Sequence, residues 1–265
     1  MNNRFRQALL AGTPTLGTWI QLGHPAVAEV FGRVGFDWVA VDLEHGVIDL
    51  ESMADIFRAI ELHGAVPVAR LPFNDPILIK RVLDAGAAGL IIPMVNSRAD
   101  AEAAIRQAKY PPLGRRGYGY SRANSYGLDF DRCIGEANRE IAVVMQIEHR
   151  DGIQDVDGIL SVEGVDAAFI GPLDLSGSFG KTGQLDCPEV VEALNTFLVA
   201  CARHGIAPGM HLVHPTEANI QQAFEDGYTM IALGLDLALL ASSAAAALQL
   251  GRQAVASRSA AELPA

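Results

Sequence analysis

Eight short apolar runs, separated by segments of helical periodicity, restrict the fold of this chain more than any other feature. The runs cover residues 16–22, 38–43, 65–70, 89–93, 141–147, 166–170, 206–210 and 229–233. Helix-period segments lie at 25–34, 50–63, 75–84, 98–109, 129–138, 188–204, 215–226 and 236–251. This alternation predicts parallel strands joined by helical crossovers. Parallel strands are covered on both faces, which accounts for their nearly unbroken apolar character. Eight β/α units in 265 residues match a single-domain α/β protein with a closed (β/α)8, or TIM, barrel. An open doubly wound sheet is the alternative, but its G-x-G-x-x-G fingerprint is absent. The barrel domain is expected over residues 1–251, with 252–265 as a flexible C-terminal tail.

The formal net charge of −11 argues against nucleic acid or an anionic membrane surface as a partner. No uninterrupted apolar stretch reaches the roughly 18 residues of a membrane span. Cys133, Cys187 and Cys201 show no C-x-x-C spacing, so neither a disulfide framework nor a zinc-thiolate site is expected. The opening residues are polar and no signal segment is read there. A cytoplasmic location is the expectation.

In a barrel of this type the chemistry sits at the C-terminal strand ends. The polar residues found there are Asp42-Leu43-Glu44-His45-Gly46, Arg70, Gln146-Ile147-Glu148 and Gly171-Pro172-Leu173-Asp174. Gln146 and Glu148 are two apart on a strand and face one side. Glu148 and Asp174, with an amide or carbonyl oxygen, form a hard-oxygen set suited to a divalent cation; capping a helix or pairing with arginine is the plainer role for such acids. Arg70 can pair with a neighbouring acid or recognise an anion. His45 lies on the rim, where an imidazole can act as a general base. Asp84 is four residues beyond Lys80 and can form an i,i+4 pair, yet a carboxylate in the last helical turn opposes the macrodipole.

Other features have weaker claims. Gly180-Lys181-Thr182 lacks the earlier glycine of a phosphate loop. His211 and His214 are three apart with nothing nearby to complete a metal site, so structural roles are expected for both. Arg115-Arg116-Gly117-Tyr118-Gly119-Tyr120 is read as a loop covering the substrate rather than an RNA contact. Lys80, Lys109 and Lys181 are the only lysines. None falls at an expected strand end, which disfavours Schiff-base chemistry.

These stretches, with Gly35-Phe36-Asp37-Trp38, Asn74-Asp75-Pro76 and Tyr110-Pro111-Pro112-Leu113-Gly114-Arg115-Arg116-Gly117, resemble the HpcH/HpaI aldolase/citrate lyase family of class II pyruvate aldolases. The likeness runs from about residue 4 to residue 251. It implies reversible cleavage of a 2-keto-4-hydroxy acid into pyruvate and an aldehyde through a pyruvyl enolate, with Mg2+, Mn2+ or Co2+ as cofactor. It implies metal binding by Glu148 and Asp174, and substrate contacts from Gln146 and from Gly171, Pro172, Leu173 and Asp174. Arg70 would stabilise the enolate, His45 would be the base, and Asp84 would raise its basicity. A homohexamer with the last helix packed on a neighbour is also implied. Leu43 and Leu173 replace smaller residues common in the family, which leaves the aldehyde partner open. A condensing enzyme of the same fold and a non-catalytic keto-acid-binding protein are the alternatives.

Overall fold

A computed structural model describes residues 3–261, with side chains described through residue 258. The chain opens with α1 (Arg4–Ala11), β1 (Thr15–Ile20), α2 (Pro25–Val34), β2 (Trp38–Asp42), α3 (Leu50–Leu62) and β3 (Val66–Arg70). It continues through α4 (Pro76–Asp84), β4 (Gly89–Ile92), α5 (Arg98–Ala108), a 3-10 turn (Arg122–Gly127), α6 (Phe130–Glu140) and β5 (Ala142–Ile147). Two short helices, α7 (Arg150–Gln154) and α8 (Val156–Leu160), lead into β6 (Ala167–Ile170) and α9 (Pro172–Ser178). The last elements are α10 (Pro188–His204), β7 (Ala207–Leu212), α11 (Glu217–Glu225), β8 (Met230–Leu235) and α12 (Asp236–Ala261). The eight strands are parallel and close in chain order, β1 to β8. All eight expected runs are strands of this barrel.

Alternation along each strand sorts its side chains into two cores. One face packs outward beneath the helices, as with Val39, Val41, Ala69, Ile92 and Ile147. The other fills the barrel with Trp19, Trp38, Val68, Ile91, Val144 and Phe169. Gly17 is required there: a Cβ would lie 2.1 Å from the Trp38 ring.

Helix α1, which the apolar pattern did not reveal, plugs the N-terminal end of the barrel. Phe5 and Leu9 join the interior core, and the Phe5 ring is 5.5 Å from that of Trp38. The plug is tied down by the Asn3 amide, which donates to the carbonyls of Ala88 and Glu140, and by Arg6 paired with Asp166 at 2.8 Å. With that end sealed by apolar packing, the C-terminal mouth is where polar side chains converge.

The β8–β1 seam is fastened by Asp236, whose carboxylate accepts from the backbone N–H groups of Gln21, Leu22 and Leu237. From there α12 runs to Ala261 rather than ending at Gly251. The expected boundary at residue 252 therefore falls inside a helix, because the alanine-rich sequence on both sides of Gly251 sustains it; residues 262–265 lie outside the described residues. Leu240, Leu248, Leu250 and Val255 on α12 are all more than half exposed. Among the described residues, no helix is long and apolar enough to cross a membrane.

Candidate active site

Asp42 and Arg70 are register partners on β2 and β3 and both face into the mouth. Arg70 Nε donates to Asp42 Oδ1 at 2.9 Å and Nη2 donates to Oδ2 at 2.7 Å. Asp42 also accepts from the Gln21 amide and from the N–H groups of Glu44 and His45. Burial pushes its carboxyl up, but the hydrogen bonds and charge of Arg70 outweigh this and hold it below the usual range. The guanidinium also lies 4.4 Å over the Trp19 ring. Arg70 is thus paired with a neighbouring acid through Nε and Nη2, while its Nη1 has no hydrogen-bond partner among the described residues.

Gln146 and Glu148 extend the inner face of β5 and are 2% and 4% exposed. The Gln146 amide donates to Glu148 Oε2. The Met94 N–H donates to Oε1 at 2.9 Å. Met94 has φ +52°, a left-handed conformation that costs a non-glycine residue on the order of 1 kcal/mol; it aims that N–H at the carboxylate. Gly171 opens α9, and a Cβ there would lie 2.8 Å from both Cβ and Oε2 of Glu148. Pro172 starts the helix and Asp174 sits in its first turn. Asp174 is exposed at the mouth, and Leu173 is 57% exposed. Burial raises the Glu148 pKa, and the nearby charge of Asp174 adds to the rise.

Glu44 closes the ring. Its Oε2 is 3.3 Å from Arg70 Nε and 3.9 Å from His45 Nε2, yet has no aligned hydrogen-bond partner. Burial, together with the charges of Glu148, Asp42 and Asp174, pushes its pKa up to about 7 against the pull of Arg70. His45 is exposed on the rim. Gly46 is required in this turn, since a Cβ would meet the Asp42 carbonyl at 2.2 Å.

A mouth lined with these carboxylates, a paired arginine and a rim imidazole brings together groups able to hold a cation, move a proton and stabilise an oxyanion. The HpcH/HpaI aldolase/citrate lyase pattern matches residues 15–243. The chain belongs to this family. It is similar to 5-keto-4-deoxy-D-glucarate aldolase of Escherichia coli, with 36% identity over 242 residues, 91% of this chain and 93% of the relative. An HpcH/HpaI aldolase/citrate lyase family protein from Burkholderia cenocepacia superposes with a TM-score of 0.90 at 34% identity, covering 95% of this chain and all of the other. An HpcH/HpaI aldolase from Desulfitobacterium hafniense gives 0.86 at 31%, covering 98% and 97%. Within the family the chain is an enzyme of the aldolase type, a carbon–carbon lyase.

The family implies a divalent cation, and the residues present fit one. Gln146 Oε1 is buried without a hydrogen-bond partner. Glu148 is a buried carboxylate whose burden of negative charge includes Asp174 and Glu44. A cation relieves both conditions. Among the described residues no three His, Cys, Asp or Glu side chains form a metal-ligating group; two carboxylates with substrate and water oxygens suit a hard divalent cation that keeps part of its shell open.

The mouth brings together His45, Arg70, Gln146, Glu148, Gly171, Pro172, Leu173 and Asp174. Asp84 is not among them. It ends α4, and because the helices run antiparallel to the strands, that end lies at the closed face of the barrel. There its partner is Arg116, at 2.7 Å, and not Lys80 or His45. Arg116 in turn lies 4.6 Å over the Tyr110 ring, which stacks on Tyr118 at 4.9 Å. The loop expected to cover the substrate is therefore packed beside the opposite end of its own barrel.

Lys109 is buried and bonded to the carbonyls of Asn138 and Ile141. Burial lowers its pKa to about 8, but it serves the closed face and not the mouth. The sequence placed Asp42 and Glu44 at a strand end without assigning either a role, and it did not single out Trp19 or Met94. For Asp42, the two-residue spacing from Ala40 was the available signal. Nothing local marks Met94, since its role depends on a backbone twist.

Proposed function

We propose that the chain cleaves a 2-keto-4-hydroxy acid reversibly into pyruvate and an aldehyde, as a metal-dependent class II aldolase. The observation that carries this reading is the buried Gln146–Glu148 pair beside Asp174 and the Asp42-held Arg70.

Glu148 and Asp174 would hold the divalent cation, which supplies Lewis-acid stabilisation of the enolate when bound. Gln146 and the backbone around Leu173 orient the pyruvyl carboxylate. His45 takes the proton from the C4 hydroxyl. The electrons of the C3–C4 bond pass to the pyruvyl unit, and the aldehyde leaves. Arg70 lends positive charge to the developing oxyanion, and Asp42 keeps its guanidinium in place.

Asp84 can act on His45 only from a second copy of the chain, given its position at the closed face of its own barrel. The exposed leucines of α12 are the counterpart on which such an assembly, a homohexamer in our reading, would rest. The small-molecule chemistry and the acidic surface accord with a cytoplasmic enzyme.

Chelation followed by add-back tests the reading. EDTA treatment is expected to abolish pyruvate release from 2-keto-4-hydroxy acids, with Mg2+, Mn2+ or Co2+ restoring it. Exchange of the pyruvate methyl protons with solvent should need the same metal. Borohydride trapping of pyruvate on a lysine would overturn the metal mechanism.

A further inference from the structure

His211 belongs to the mouth and not to the surface loop that follows it. On β7 the inward positions are Ala207, Gly209 and His211, two residues apart. Ala207 lies in the interior core. At Gly209 a Cβ would meet the Phe169 ring at 2.5 Å, so that ring fills the layer below. The His211 ring lies above, 5.5 Å from Trp19, and Trp19 carries Arg70 at 4.4 Å. His214, by contrast, is exposed.

The chemistry of this ring is defined by one contact. Nε2 lies 2.9 Å from the Gly234 carbonyl oxygen. A carbonyl only accepts, so Nε2 carries the proton and Nδ1 carries a lone pair. Burial, helped by the charge of Arg70, lowers the pKa to about 4, so the ring is neutral near neutral pH. No hydrogen bond reaches Nδ1 among the described residues, and the ring remains partly exposed. The mouth thus holds a fixed acceptor with no protein donor to satisfy it, beside the Trp19 ring that also carries the Arg70 guanidinium.

We propose that His211 is a specificity-determining residue, accepting through Nδ1 a hydrogen bond from a substrate hydroxyl. This rests on the aldolase reading and deepens it: the preferred substrate carries a hydroxyl, on the keto-acid half or the aldehyde half, that an unsubstituted analogue lacks. A site with a polar group to satisfy discriminates against the analogue that leaves it unpaired.

Two substitutions separate recognition from support. In His211→Gln the amide nitrogen can replace Nε2 on Gly234 while the acceptor at Nδ1 is lost. In His211→Asn the amide oxygen occupies the Nδ1 position while the Gly234 contact is lost. Aldol addition is measured with pyruvate on glycolaldehyde against acetaldehyde, and with hydroxypyruvate against pyruvate on acetaldehyde. We expect the kcat/KM preference for the hydroxylated partner in one arm to fall about tenfold in His211→Gln and to persist in His211→Asn. Loss in His211→Asn with retention in His211→Gln, or no change in either arm, overturns the proposal. A binding measurement stands apart from turnover. In 15N-histidine spectra, the Nδ1 resonance of the wild-type protein should move on addition of hydroxypyruvate or glycolaldehyde, and not with pyruvate or acetaldehyde. An unmoved Nδ1 counts against His211 whether or not the protein is an aldolase; absence of all aldol product counts against the aldolase reading alone.

Discussion

Asp42 holds Arg70 through two hydrogen bonds, at 2.9 and 2.7 Å, from the adjacent strand position. The pair is the rigid side of the mouth: Asp42 is fully buried, and Arg70 is further fixed by the Trp19 ring. Removing the acid leaves the guanidinium with only Glu44, 3.3 Å from its Nε, as counter-charge and without the two hydrogen bonds that fix its orientation. Asp42→Ala is therefore expected to lower unfolding free energy by about 3–5 kcal/mol, read by urea denaturation. Asp42→Asn should lose less stability but still depress kcat more than it raises KM, since Arg70 acts on charge that develops during reaction. A KM effect alone would show that Arg70 serves only ground-state binding.

Gly171 is the wall against which Glu148 rests. Gly171→Ala adds a methyl 2.8 Å from the carboxylate, so Glu148 must swing away while the barrel persists. Mn2+ affinity, followed by electron paramagnetic resonance, should weaken at least about tenfold, with an unchanged circular dichroism spectrum. Wild-type affinity in this variant would remove Glu148 from the metal set.

Glu44 makes the metal-free protein's stability depend on pH in an unusual direction. Its pKa rises from 4.5 to about 7 on folding, so between these values the native state binds more protons than the unfolded chain. The contribution is full below pH 4.5 and is lost as pH rises through about 7. Thermal unfolding of the chelated protein should show this decline, and Glu44→Gln should flatten it. A variant with the wild-type slope would mean that the charge cluster around Glu44 relaxes in solution.

Asp84 and His45 lie at opposite ends of one barrel, which makes their partnership a question of assembly. Mixing His45→Ala with Asp84→Asn subunits, each nearly inactive, should regenerate sites that take each intact residue from a different chain. Random mixing restores about a quarter of the sites, measured as pyruvate release. No recovery in mixed assemblies verified by mass spectrometry would separate Asp84 from the base.

The exposed leucines of α12 carry a related expectation. Leu240→Glu with Leu248→Glu should shift the protein to smaller species in light scattering while the barrel keeps its fold. An unchanged mass would show that α12 is not the assembly surface.

Most of this architecture was determined by the sequence alone. Strands such as 38–42 and 142–147 are nearly continuous apolar runs because both their faces are covered, and that requirement is written locally. The acids and the arginine at the strand ends were legible for the same reason, since a polar residue closing an apolar run has few other places to be. What the tertiary structure decided is which of these residues meet. Asp42 joins Arg70 because barrel register sets them side by side. Asp84 is separated from His45 because a helix antiparallel to its strand delivers its last turn to the far face. Met94 finds Glu148 through a left-handed backbone angle. His211, given a structural role from its spacing with His214, enters the mouth because the alternation of β7 carries it above Phe169. Periodicity is a property of neighbours along the chain; partnership depends on the closure of eight strands, whose order and register emerge only when the barrel is complete.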